Sequence, residues 1–216
     1  MTAIQPKDLQ DAAQMLRIDL NVLRAIDIVE SNGSGFDKLG RVKILFEPFT
    51  FNRMTNRLLE GLSVSGNLIA PKFGDRSTYS LDQHQLLKRA MDLVPFAQIV
   101  VAKDYTPPDE NKAIRLRRLA KNVGLIAQQS CSWGRYQIMG FNYKAVGYRT
   151  VQAFVKDMET SEVYHLRAFC AFLVGKKLDA ALREKRYDDF FRGYNGPAYK
   201  KLGYDRKFHA ALRSVS

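Results

Sequence analysis

Apolar residues recur at helical spacing along most of the chain. Leu9, Ala12, Ala13 and Leu16 mark a first helix, and Leu20, Leu23, Ala25, Ile26 and Val29 mark a second. The run Ser31-Asn32-Gly33-Ser34-Gly35 predicts the end of that second helix, because glycine accepts the left-handed backbone that closes helices. Residues 41–47 have strand spacing instead: Val42, Ile44 and Phe46 alternate with Lys43, Leu45 and Glu47, after a turn at 37–40. Pro48 argues against continuing this segment as a central strand.

The next stretch is less regular. It holds a predicted helix over residues 82–93, a short apolar run over 96–102, and a break at Tyr105-Thr106-Pro107-Pro108-Asp109. Ala113, Leu116, Leu119, Ala120, Val123 and Ile126 then trace one face of a long helix, whose other face carries Arg115, Arg117, Arg118 and Lys121. Helical spacing returns over residues 151–158, 163–174, 178–186 and 205–213, with a break at 193–197. The pattern predicts one domain over residues 1–216 of the α+β class, mainly α. A larger helical lobe is joined by a smaller lobe, roughly residues 40–105, bearing a short β-hairpin, with a cleft between them.

The 216 residues suffice for one well-buried core. The charge balance is unusual: 34 Lys and Arg against 22 Asp and Glu give +12. Such a field favours polyanionic partners, either nucleic acid or a bacterial envelope with its phosphates and peptide carboxylates. Net charge alone does not choose between them. Cys131 and Cys170 sit among apolar neighbours and read as reduced core residues. Two cysteines and the scattered His84, His165 and His209 do not supply a zinc site, so no metal and no cofactor is expected.

The N-terminal stretch lacks a basic start followed by an apolar run, so no signal peptide is visible. No apolar run is long enough to span a bilayer, and no stable membrane insertion is expected. The expected location is the bacterial cytoplasm in which the chain is made; if it acts on a cell wall, a separate factor must release it.

Glu30 falls on the last turn of the second helix, four residues after Ile26 and seven after Leu23. A carboxyl on that face is partly desolvated, which raises its pKa, and a helix C-terminus also disfavours an anion. A glycosidase acid needs such a raised pKa, since it must hold a proton near neutral pH. Most glutamates at helix ends are simply solvated, and composition alone favours that reading. Asp27, one turn earlier, adds like-charge repulsion or points to water. Glu47 ends the strand: it is either a second carboxylate that stabilises charge on the sugar or orients water, or a structural hydrogen-bond acceptor.

Ser132-Trp133-Gly134-Arg135-Tyr136-Gln137-Ile138-Met139-Gly140 concentrates the only tryptophan, two glycines and a glutamine. Sugar-binding clefts use aromatic faces and amides, and glycine lets backbone approach a ligand. A core tryptophan beside a turn is the commoner case. Tyr194-Asn195-Gly196-Pro197 is by itself a turn signal.

Taken in order, these segments resemble the goose-type lysozyme and lytic transglycosylase superfamily. There a Glu-Ser ends a helix, a Gly-x-x-Gln-Ile-Met segment follows, and a Tyr-Asn segment comes last. More closely, the chain resembles the N-acetylmuramidase family of phage endolysins. Four segments carry that likeness: 29–36, 43–47, 132–140 and 194–197. The resemblance implies a lysozyme-like fold and a single catalytic domain. It implies a peptidoglycan hydrolase that cleaves the β-1,4 bond between N-acetylmuramic acid and N-acetylglucosamine. Glu30 is then the general acid with Glu47 a second catalytic candidate, and Ser31, Trp133, Gln137, Tyr194 and Asn195 contact substrate. Expected partners are peptidoglycan glycan strands and the anionic envelope surface, with no nucleic acid, the protein acting as a monomer. A lytic transglycosylase on the same bond is the first alternative. A basic nucleic-acid-binding protein is the second, although no helix-turn-helix, zinc-finger or RNA-recognition signature accompanies the charge. A non-catalytic wall-binding module is the third.

Overall fold

The computed structural model describes residues 2–31, 33–55, 63–64, 67–68, 82–88, 90–91, 111, 114–115, 118–119 and 121–216. The first two helices form as the pattern predicts: α1 over Pro6–Leu16 and α2 over Leu20–Ser31. Pro6 opens α1 where a missing N–H costs nothing, and the Gln5 N–H donates to the Asp8 carboxylate at 2.8 Å. Arg17, in the left-handed region at φ 56°, separates the two helices. In α2, Leu23, Ala25 and Ile26 are wholly buried.

The predicted strand is shorter than its alternation. Strand β1 covers Ile44–Phe46, and Val42 pairs only as an isolated bridge with Phe36. Between them Asp37 organises the turn, accepting from the backbone N–H groups of Leu39 and Arg41 at 2.9 Å each. Pro48 starts helix α3 over Pro48–Met54, with Glu47 as its N-cap residue. Two short antiparallel strands follow, β2 at Ser63–Val64 and β3 at Asn67–Leu68. Most of the smaller lobe expected over 40–105, with the 96–102 run and the 105–109 break, lies outside the described residues.

The long helix expected through Ile126 is interrupted. Lys121 and Asn122 form a turn, and helix α4 restarts over Val123–Gln129. Asn122 accounts for the break: its side-chain amide donates to the Arg118 carbonyl at 3.2 Å, competing with the helical ladder. Strands β4 (Cys131–Trp133) and β5 (Ile138–Met139) flank a four-residue turn, and the sheet order is β1-β4-β5.

Helices α5 (Val151–Thr160), α6 (Glu162–Gly175), α7 (Leu178–Arg183), α8 (Tyr187–Asn195) and α9 (Tyr204–Val215) complete the described chain. Thr150 and Ser161 cap α5 and α6 through their hydroxyls. Helix α8 was not expected from the sequence, because Gly193 and Pro197 obscured its pattern. A Cβ at Gly193 would come within 2.5 Å of the Leu178 side chain, which would have to shift to make room.

The chain divides into two compact units, one of Met1–Lys43, Trp133–Ile138 and Asn142–Ser216, the other of Ile44–Ser132 and Met139–Phe141. In the first, α2 packs against α1 and α9. Leu16, Leu23, Ile26, Phe154, Phe169, Phe190, Phe191 and Phe208 are each at most 1% exposed and form its core. In the second, Phe46 and Phe51 pack with ring centroids 5.5 Å apart. Cys131 and Cys170 are buried free thiols, and burial pushes both pKa values up. No helix among the described residues is long and apolar enough to cross a membrane. The architecture is mainly helical with a small sheet, the expected α+β class.

Candidate functional site

The last turn of α2 is clamped by a buried ionic network within the first unit. Asp27 receives two hydrogen bonds from one guanidinium, from Arg135 Nε at 2.6 Å and Nη2 at 2.7 Å. Its Oδ1 also accepts from the Tyr136 hydroxyl at 2.7 Å. Asp27 therefore neither faces water nor repels Glu30 as an unpaired charge. Arg135 also donates through Nη1 to the Gly33 carbonyl at 2.9 Å and reaches Glu162 at 3.3 Å. The guanidinium thus ties α2, the 33–35 loop, the β4–β5 turn and α6 together. Burial opposes the Arg135 charge, but the bonds to Asp27 dominate and hold its pKa above the ordinary range.

Glu162 anchors the loop after α2. Its Oε1 accepts from the Gly35 N–H at 2.5 Å and the Ser34 hydroxyl at 3.1 Å. Burial disfavours its ionisation, yet the Gly35 bond and the Arg135 charge outweigh burial and lower its pKa. His165 fixes the neighbouring turn: its Nδ1 accepts from the Arg135 N–H at 3.1 Å, and its Nε2 lies 2.6 Å from the Met158 carbonyl. That pairing assigns the proton to Nε2, and burial depresses the imidazole pKa. Gly35 and Gly134 are needed because they pack on this ring. A Cβ at Gly35 would lie 2.4 Å from His165 Nδ1, and one at Gly134 2.8 Å from the ring. Of the two glycines expected to admit a ligand, Gly134 packs on His165 and Gly140 packs on the Gln128 backbone.

Glu30 follows this clamp on α2 and is half-buried. Burial raises its pKa from 4.5 to about 7, against the opposing pull of the Asn195 hydrogen bond and the Lys207 charge. Asn195 Nδ2 donates to both carboxylate oxygens, at 3.1 and 3.3 Å. Asn195 closes α8, and the preceding Tyr194 locks that end: its hydroxyl donates to the Tyr136 carbonyl at 2.7 Å. The Tyr194 ring stacks on Phe190 and meets Phe169 edge-on. Burial keeps the Tyr194 hydroxyl protonated far above the usual phenol range. A carboxyl so placed can exchange a proton near neutral pH while its orientation is held.

Comparisons with known proteins name a family. The family model described as Muramidase, N-acetylmuramidase, matches residues 19–216. The chain belongs to the N-acetylmuramidase family. It is also similar to a solved Burkholderia AP3 phage endolysin, with 32% identity over 99% of this chain and 71% of that one and a TM-score of 0.66. A comparison with curated proteins found no match. Family membership makes this muramidase a peptidoglycan hydrolase, of the phage endolysin type and with the lysozyme-like fold that the motifs imply.

Of the site residues expected from the muramidase motifs, the structure brings Glu30, Tyr194 and Asn195 together. Gln137 is exposed in the β4–β5 turn, at φ 50°, and its side-chain amide donates to the Gly134 carbonyl at 2.8 Å. Its neighbour Tyr136 is the residue that Tyr194 grips. Trp133 and Ser31 are both buried. Trp133 is 2% exposed, so its ring belongs to the core. Ser31 is 4% exposed and its Oγ accepts from the Gly33 N–H at 3.1 Å, a helix-closing bond. Glu47 lies in the second unit, half-buried, and its carboxylate makes no capping bond to α3.

Arg135, Glu162, His165, Lys207 and Tyr204, whose hydroxyl pKa is raised by burial and by the Glu30 charge, were missed. Arg135 lay inside a recognised segment without being singled out. Glu162 reads as an ordinary first-turn acid after a serine cap. Tyr204 and Lys207 sit on an amphipathic helix whose charges look like a solvated face. Only the pairing in space distinguishes any of them.

Proposed function

We propose that this muramidase cleaves the β-1,4 bond between N-acetylmuramic acid and N-acetylglucosamine, with Glu30 as the general acid. The observation that carries this reading is the Glu30 carboxyl, half-buried, lifted to about 7 and oriented by Asn195. The protonated acid gives its proton to the leaving glycosidic oxygen as the bond breaks and positive charge develops on the sugar. Asn195 holds the carboxyl in one orientation and stabilises the carboxylate left after transfer. The Asp27–Arg135–Glu162 network keeps the last turn of α2 from shifting, since small misplacements of an acid are expensive in rate.

Peptidoglycan digestion with mass analysis of the products tests the reading. Hydrolysis adds one water to each cleaved bond, whereas a transglycosylase leaves an anhydro product. Wild-type protein is expected to yield reducing, hydrated muropeptides, and Glu30→Gln to yield none. Anhydro products would assign the same acid to transglycosylation. We also propose that the protein works as a monomer. With peptidoglycan as substrate, the charge of +12 supports adsorption to the anionic envelope.

A further inference from the structure

A groove of about 700 Å³ runs along the contact of α2 and α9, lined by Ile28, Val29, Lys207, Ala210, Ala211 and Ser214. It lies wholly within the first unit. Its size falls in the range of about 300–1,000 Å³ typical of small-ligand sites. Val29 directly precedes Glu30, and Lys207 is close enough for its charge to bear on that carboxyl. The groove therefore borders the residue assigned to the chemistry.

Its chemistry does not suit a sugar. Sugars need several donors and acceptors and an aromatic face. Here the walls are the methyl groups of Ile28, Val29, Ala210 and Ala211, and Ile28 is 49% exposed despite its apolar side chain. The polar groups are one ammonium and one hydroxyl. No carboxylate among the described residues forms an ion pair with Lys207, whose Nζ sits 5.5 Å from the Tyr204 ring centroid. Ser214 is exposed and donates to the Ala211 carbonyl at 2.7 Å. Methyl-sized walls with a single available cation match a short peptide of small apolar residues bearing a carboxylate.

We infer that this groove takes the acidic stem peptide of the muramic acid residue whose bond is cleaved, with Lys207 receiving a stem carboxylate. The inference rests on the proposed muramidase function and names a substrate feature beyond the glycan. In peptidoglycan the peptide hangs from muramic acid itself, so a peptide site beside the acid would help to set which bond meets Glu30. Binding energy from the non-reacting stem would serve to position the reacting sugar.

The test compares soluble peptidoglycan strands that carry stem peptides with the same strands stripped of them by an amidase. The readout is the ratio of KM on stripped strands to KM on stem-bearing strands. Wild-type protein is expected to give a ratio well above one. Ala210→Glu and, independently, Ser214→Glu place a like charge against the stem carboxylate from exposed positions on α9. Each should lower the ratio by about five-fold, an ordinary effect of charge mismatch at an interface, with melting unchanged. A wild-type ratio of one, with both substrates cleaved, overturns the groove assignment and leaves the muramidase reading standing. An unchanged ratio in both folded variants overturns it as well. If wild-type protein cleaves neither substrate, the muramidase reading falls and the inference falls with it.

Discussion

Asn195 Nδ2 lies 3.1 Å from one oxygen of Glu30 and 3.3 Å from the other, joining residues 165 positions apart. The amide is a donor, so it favours the ionised carboxylate and opposes the burial that raises the Glu30 pKa. It also restricts rotation of the carboxyl. One contact therefore affects both the protonation and the aim of the proposed acid.

Removing that donor should separate the two effects. In Asn195→Ala the Glu30 pKa rises further, and the protonated form is the active one. The alkaline limb of the kcat/KM profile should then move to higher pH, while the plateau rate falls because the carboxyl is less well held. A pH–rate profile on soluble glycan strands checks this. An alkaline limb that moves down, or stays in place, would remove Asn195 from the control of Glu30.

The same raised pKa has a sign for stability. A carboxyl near 7 when folded and near 4.5 when unfolded binds its proton more tightly in the folded state. Its stabilisation is complete below about 4.5 and is lost as pH rises through about 7. Glu30→Gln cannot ionise and escapes that loss. Relative to wild type, the variant should gain about 2 kcal/mol between pH 4 and pH 8, after discounting for solvent that reaches the half-buried group. Denaturant melts of both proteins at the two pH values measure it, and activity should fall by ~10²–10⁴-fold.

Arg135 should be a stability residue with a catalytic consequence. Its removal leaves Asp27 and Glu162 without their shared cation, and breaking such a buried pair costs about 3–5 kcal/mol. Arg135→Lys should not restore the structure, because an ammonium cannot make the two parallel bonds to Asp27. A loss below about 1 kcal/mol in Arg135→Met would mean that the network is dispensable.

Glu47 remains the second candidate from the sequence. If its carboxylate takes part in the reaction, Glu47→Gln lowers the rate strongly and leaves the melting temperature in place. A structural role lowers both together. Measuring rate and melting on one preparation decides between them.

The basic surface should govern adsorption and not chemistry. Activity on permeabilised cells should drop as salt is added, because exposed charges are screened beyond about 8 Å at physiological ionic strength. Activity on a short uncharged oligosaccharide, where one is cleaved, should hardly change. Equal salt sensitivity on both substrates would place the relevant charges at the site itself.

The amino-acid pattern alone determined the helical character of the chain and the end of α2 at Glu30-Ser31. These follow from local rules: apolar spacing, glycine and proline placement, and motifs whose residues are close in sequence. Ordered motifs also pointed to Glu30 without a structure. Helix α8 escaped because Gly193 and Pro197 read as breakers. The long helix was overextended because Asn122 breaks it by turning its side chain onto Arg118. Tertiary structure decided the rest of the site. Burial lifts the Glu30 carboxyl, and burial comes from helices contributed by both ends of the chain. Asp27, Arg135 and Glu162 become one network only when α2, the β4–β5 turn and α6 converge. Packing buries Trp133 and Ser31, which residue type alone does not decide. Charge pairing and desolvation depend on distance in space, and residues far apart in the chain carry no local signal of it.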